Sequence, residues 1–285
     1  MTVALLPNLK RDGDLSVTRA VLSRAGLNGV TVLLPETLSA FFPHETCLPE
    51  ETLYEKADLV ITVGGDGTII HVSSAACRYG KPVLGINCGR VGFIAELETN
   101  ELDKLDAVFK GEYTVEERLA LSVTANGQTC FCLNDAVITH GNVARITELA
   151  LLRDGREVDT YRADGIIVST PTGSTAYNLS AGGPIVEPSI PCLIVTPICA
   201  HSLTARPLVF SSSRPPQVVC RTNGAFLTVD GRTSIPLSKG DTVDFSVDER
   251  AVRLVRVKPR EFFDVLNTKL SGRKQNEDEK EPLLK

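Results

Sequence analysis

The apolar positions of this chain follow one period up to Gly111 and another beyond it. In the first part, short β-branched runs at 2–7, 30–34, 58–63 and 82–86 predict strands, and the stretches 14–25, 50–56, 68–79 and 101–109 predict helices between them. Val17, Ala20, Val21 and Arg24, for example, fall at roughly helical spacing. The run 58–63, Asp-Leu-Val-Ile-Thr-Val, is almost wholly apolar, as a strand buried on both faces of a parallel sheet requires. Strands alternating with helices imply a parallel sheet with right-handed crossovers, and ligands of such sheets bind beyond the carboxyl ends of the strands.

Beyond Gly111 the period shortens to two. Asn126-Gly127 predicts a hairpin between 112–125 and 128–140, Asp154-Gly155 one between 146–153 and 157–161, and Asn223-Gly224 one between 217–221 and 225–229. Further strands are expected at 241–247 and 253–257. The fold class is therefore α/β plus all-β. An N-terminal Rossmann-like parallel-sheet domain is expected over 1–111, and a C-terminal antiparallel β-sandwich-like domain over 112–257. A helix within 258–270 should complete the first domain, and the charged stretch 271–285 reads as a mobile tail.

Composition narrows the class. With 285 residues the chain can hold two domains of ordinary size, and 42% hydrophobic with 23% charged residues is a globular balance. No apolar run approaches the ~18 residues of a spanning helix, and the N-terminus lacks the pattern of a secretory signal. Eight cysteines lie scattered through apolar segments without a Cys-x-x-Cys pair, which suits reduced thiols. A cytoplasmic location with no membrane partner is expected, and a net charge of −5 argues against a nucleic-acid partner.

Two stretches carry chemistry. In Val60 to His71, a strand runs into Gly64-Gly65-Asp66-Gly67 and then into a helix. Such a turn brings backbone amides and a helix dipole close to an anion. A carboxylate there would repel phosphates unless it holds Mg²⁺ or takes a proton from an attacking hydroxyl, which points to phosphoryl transfer. The plainer alternative is a tight turn in which Asp66 caps the helix. The second stretch, 164–177, passes abruptly from Ile166-Ile167-Val168 to the hydroxyl-rich Ser169-Thr-Pro-Thr-Gly-Ser-Thr-Ala-Tyr177. Its hydroxyls can bond a ribose or phosphate while Tyr177 covers a base, or they can serve as an ordinary capped turn.

Gly64-Gly-Asp-Gly-Thr68, Val91-Gly-Phe93, Asn134-Asp135, the 164–177 stretch and 197–207, in this order, resemble the NAD kinase family over roughly residues 58–232. The glycine-aspartate element is shared with lipid kinases and phosphofructokinases, whereas 169–177 is far more discriminating. What the resemblance implies is phosphorylation of the 2′-hydroxyl of the adenosine ribose of NAD to give NADP, with ATP as donor and Asp66 as base. It also implies a substrate set of Gly67, His71, Phe93, Asn134, Asp135, Arg145, Arg162, Asp164, Thr172, Thr175, Ala176, Tyr177, Ser180 and Asp230, and a homo-oligomer, dimer or tetramer. Asp135 stands where the family has glutamate, one methylene longer. Because no Gly-x-x-x-x-Gly-Lys-[Ser/Thr] motif is present, Mg²⁺ or another divalent metal is expected to carry the phosphate charge, with Asp66 as a possible ligand. Two rivals are a lipid or sugar kinase of the same glycine-aspartate kind, and a dinucleotide sensor without chemistry.

Overall fold

The computed structural model describes residues 1–89, 92–142, 145–259 and 262–270. The tail expected at 271–285, and Val91 of the Val-Gly-Phe motif, lie outside the described residues.

The first half builds a parallel sheet from β1 (Thr2–Pro7), β2 (Thr31–Pro35), β3 (Thr46–Leu48), β4 (Leu59–Gly64), β5 (Val83–Asn87) and the short β6 (Leu97–Glu98). Helices α1 (Ser16–Leu27), α2 (Glu50–Lys56), α3 (Asp66–Cys77) and α4 (Leu105–Phe109) make the crossovers. Every residue of β4 is buried, with Leu59, Val60, Ile61 and Val63 wholly inaccessible. Each such side chain stabilises the fold by roughly 1.5–3 kcal/mol. The order β3-β2-β1-β4-β5 reverses direction between β1 and β4. The crevice beyond that reversal is where open α/β sheets bind ligands, and the turn after β4 opens into it.

From β7 (Thr114–Arg118) onward the chain is almost all strand. One six-stranded sheet has the order β12-β11-β16-β19-β8-β9. It takes β8 (Leu121–Ala125), β9 (Gln128–Cys132), β11 (Thr147–Arg153), β12 (Arg156–Ala163), β16 (Gln217–Cys220) and β19 (Thr242–Val247). The other has the order β15-β14-β13-β10-β17-β18. It takes β10 (Asp135–His140), β13 (Gly165–Ser169), β14 (Cys192–Ile198), β15 (Leu208–Ser211), β17 (Ala225–Val229) and β18 (Thr233–Leu237). Both sheets are antiparallel, and they share a core that includes Leu121, Leu149, Ile138, Ile166 and Leu227. This is the expected sandwich.

Three expectations are corrected. Asn223-Gly224 joins β16 to β17, which lie in different sheets, so it is a crossover and not a hairpin. The stretch 128–140 breaks at Leu133-Asn134, where the chain passes from one sheet to the other. Lastly, β7 and β20 (Val252–Arg256), placed by their alternation within 112–257, belong to the first sheet. There β20 runs parallel to β5 at Leu254 and antiparallel to β7 over Val252 to Arg256. Their alternating pattern is that of any antiparallel pair and cannot by itself name the sheet they join.

The two parts meet through α3. Its Ile69, Val72 and Ala76 share a core with Val252 and Leu254 of β20 and with Leu133 at the break between the sandwich sheets. Helix α6 (Phe262–Leu270) follows the last strand, with Val265 buried.

Candidate active site

Asp66 opens α3, after Gly65 in extended backbone at φ −96° and ψ 179°. Its carboxylate does not turn back to cap the helix. Instead Oδ2 accepts the N–H of Phe93 at 2.7 Å and Oδ1 that of Ile94 at 3.3 Å. Gly92 makes this possible, because a Cβ there would stand 1.9 Å from Oδ1. Asn8, at the end of β1, fixes the other side of the turn: its N–H bonds Val63 O, and its side-chain amide donates to Thr68 Oγ1 at 2.7 Å. A Cβ at Gly65 or Gly67 would meet nothing within 4 Å among the described residues, so packing against them does not demand glycine at either position. Open space beside a helix N-terminus is what a close anion needs.

A cleft of about 440 Å³ faces this carboxylate, lined by Arg11, Gly65, Asp66, Asn87, Cys88, Gly92 and Lys269. Lys269 of α6 places Nζ 3.9 Å from Asp66 Oδ2 and 4.0 Å from the centre of the Phe93 ring. Among the described residues, Arg11, Lys269 and the positive end of a twelve-residue helix share this cleft with the carboxylate.

The other half of the site is assembled at the sheet break. Asp135 pairs with Ser169 across β10 and β13, which sets the Asn134 turn against the 169–177 loop. Thr170 donates its N–H to Asn134 O at 2.9 Å and its hydroxyl to Leu133 O. Gly173 packs so closely that a Cβ would lie 2.2 Å from Asn134 O. Residues 172–175 form a short 3₁₀ turn and Tyr177–Ser180 a single helical turn, α5. Thr172 is buried, Thr175 and Ala176 are half-buried, and Tyr177 and Ser180 are exposed. Asn134 Oδ1 is buried and has no hydrogen-bond partner among the described residues.

Asp230 organises this turn. At φ 47°, beside Gly231 at 66°, it makes the tight β17–β18 hairpin. Its carboxylate accepts the N–H groups of Leu133 at 2.8 Å, Asn134 at 2.8 Å and Asp135 at 3.2 Å. Burial, with the Asp230 charge adding to it, pushes the Asp135 carboxyl up to about 6.

His71 lines a second cleft of about 410 Å³ between α3 and the sandwich, with Arg78, Phe131, Asp230 and Arg232 on its walls. Partial burial and then the neighbouring Arg232 charge hold the imidazole below its ordinary value. Arg145, Arg162 and Asp164 lie elsewhere. Asp164 precedes β13 and Ser169 ends it, which separates them by about 16 Å at ~3.3 Å per residue. Thr147 pairs with Ala163, so Arg145 shares that remote end. One chain does not bring these three to Asn134.

Comparisons with known proteins decide the family. Residues 19–113 match the ATP-NAD kinase N-terminal domain, and residues 133–257 match the ATP-NAD kinase C-terminal domain. The chain belongs to the NAD kinase family. The NAD kinase of Thermoanaerobacter sp. (strain X514) is 37% identical over 284 residues, spanning 95% of this chain and 99% of that one. That of Symbiobacterium thermophilum is 40% identical over 275 residues, 93% and 97% of the two chains. Among solved structures, yeast NADH kinase complexed with NADH superposes with a TM-score of 0.87 at 25% identity, covering 100% of this chain and 90% of that one. An NAD kinase from Archaeoglobus fulgidus in complex with ATP gives 0.75 at 31% identity, covering 95% and 98%.

Family membership makes the chain a phosphotransferase that acts on NAD with ATP as donor, and it removes the sensor and the lipid or sugar kinase from consideration. Among the described residues, no helix is long and apolar enough to cross a membrane. Several residues that build this site carry no assigned role in the expected set, Gly92 being named only as part of the Val91-Gly-Phe93 motif. Gly92 and Lys269 touch or face Asp66, and Asn178, wholly buried, bonds Ser174 O, Pro184 O and the Thr196 hydroxyl. An asparagine directly after the hydroxyl-rich 169–177 run is the signal the sequence offers for Asn178.

Proposed function

We propose that Asp66 is the general base of this NAD kinase and that the Asn134 turn and the 169–177 loop present the adenosine ribose to it. The carrying observation is the seating of the carboxylate. Two amide hydrogen bonds fix it, while each oxygen keeps a lone pair for a further proton or ligand. As the ribose 2′-oxygen attacks the γ-phosphorus of ATP, its proton passes to Asp66, and the bond to the β-phosphate oxygen breaks to release ADP and NADP. Arg11, Lys269 and the first amides of α3 offset the charge on the phosphates. Asn134, with its buried Oδ1, is positioned to accept a hydrogen bond from the dinucleotide, and Asp135 flanks it.

A divalent ion fits this donor set in one way. Among the described residues no three His, Cys, Asp or Glu side chains stand together as a cage. Mg²⁺ accepts one carboxylate when phosphate oxygens and water complete its shell, and Asp66 can be that carboxylate. The ion, when bound, would neutralise charge on the transferring phosphoryl group.

Arg145, Arg162 and Asp164 are proposed to reach a dinucleotide held by a second copy of the chain, which gives the expected homo-oligomer a role. The eight free thiols agree with a cytoplasmic location. Asp66→Asn tests the base: folding and NAD affinity should persist while kcat drops by ~10² or more. Near-normal turnover would return Asp66 to a structural role.

A further inference from the structure

A continuous line of charged side chains joins the two halves of the site. Ile94, whose N–H bonds Asp66, gives its carbonyl to Arg256 Nη1 at 3.0 Å. Arg256 Nη1 also lies 3.2 Å from the wholly buried carboxylate of Glu96, whose other oxygen accepts the N–H groups of Val257 and Lys258. The Nε of Arg256 donates to Glu116 Oε2 at 2.7 Å. Glu116 Oε1 in turn stands 2.8 Å from Arg118 Nε, an ion pair by distance although that N–H is not aimed along a hydrogen bond. Arg118, 6% exposed, donates from Nη1 to the hydroxyl of Thr172 at 3.3 Å.

We infer that Arg118 is a positioning residue for phosphoryl transfer, holding the 169–177 loop in a fixed relation to Asp66 through Glu116 and Arg256. The inference rests on the proposed roles of that loop and of Asp66. A hydroxyl acceptor and its base must meet within hydrogen-bond reach, and an error of an ångström is costly. Here the base rides on the first sheet and the loop on the sandwich. Hydrophobic contact through Leu133 presses the two together but has no direction. A guanidinium N–H bonds along a fixed direction, as Arg256 does to Glu116 and to Ile94 O and Arg118 does to Thr172, while charge alone holds Arg118 to Glu116. Arg118 ends β7 and Arg256 ends β20, so both forks stand on paired strands of the first sheet. Thr172 is then held from that sheet by a directional bond.

Arg118→Met, Thr172→Val and the double variant test this, with kcat, KM for NAD and melting temperature measured on the full chain. Each single change should lower kcat about tenfold and leave KM within about threefold, since the loop still binds but presents the ribose off line. In the double variant kcat should equal that of the worse single variant, because both remove one bond. Arg118→Met combined with Glu116→Gln removes the carboxylate that Arg118→Met would leave with Arg256 alone of its two arginine partners, while Arg256 keeps Glu96. Melting temperature should recover there while kcat stays low. Recovery of kcat together with melting temperature, losses that multiply in the double variant, or an effect confined to KM would each make Arg118 an ordinary structural residue. Normal turnover in Asp66→Asn, measured in the same assay, would retire the base and leave the Arg118 to Thr172 coupling to be decided by the double variant.

Discussion

Gly92 and Asp66 occupy adjoining space that admits no methyl group, since a Cβ on Gly92 would stand 1.9 Å from Oδ1. Gly92→Ala therefore has to swing the carboxylate off the Phe93 and Ile94 amides. The expected outcome is a fall in kcat of roughly 10 to 10²-fold with a stability loss of about 1–3 kcal/mol. Steady-state kinetics beside a denaturant titration checks both. An alanine enzyme with unaltered kcat would mean that this carboxylate's placement is not what limits turnover.

Asp230→Ala leaves the amides of Leu133, Asn134 and Asp135 without their shared acceptor. A loss of about 2–4 kcal/mol follows from leaving such groups unpaired, together with a raised KM for NAD as the Asn134 turn loosens. Urea unfolding and NAD titration would show it. A variant unchanged in both would reduce Asp230 to a hairpin residue.

Burial, with the Asp230 charge second, lifts the Asp135 carboxyl from 3.8 to about 6. The folded chain thus binds this proton more tightly than the unfolded chain. Its contribution to stability is complete below about pH 4 and fades as pH rises through about 6. Asp135→Asn should flatten stability against pH across that window and add on the order of 3 kcal/mol at neutral pH, at ~1.4 kcal/mol per pH unit. Denaturation midpoints collected from acid to neutral pH decide it. A slope identical to that of the parent chain would place the ionisation elsewhere.

Gly173→Ala wedges a methyl against Asn134 O, 2.2 Å away, and pushes the 169–177 loop off the turn that supports it. KM for NAD should climb about tenfold or more, read by initial rates at fixed ATP. An unchanged KM would show that the two loops move independently.

Much of this was legible in the sequence where information is local. The buried β4 run announced its strand, and Gly64 to Thr68 announced the turn that seats Asp66. What escaped depends on partners far along the chain. The resemblance implies only a substrate contact for Asp230, yet its carboxylate oxygens serve amides 95 to 97 positions earlier. Arg118 looks like one more charge in an alternating strand, and only the fold sets it beside Thr172, 54 positions on. Asn223-Gly224 carries the same dipeptide signal whether its flanking strands pair or part, because the choice lies with their neighbours in two sheets.

The return of β20 to the first sheet has a consequence for the order of synthesis. During translation the growing chain makes β5 and β7 long before Val252–Arg256 exists to lie between them. At ~5–20 residues per second the interval from Arg118 to Arg256 is roughly 7–28 seconds, in which the whole sandwich can emerge. Until Arg256 arrives, the Ile94 carbonyl has no fork to meet and Glu96 no cation. The nascent chain thus lacks the Arg256 link that joins Ile94 and Glu96 to Glu116 until Val252–Arg256 is made.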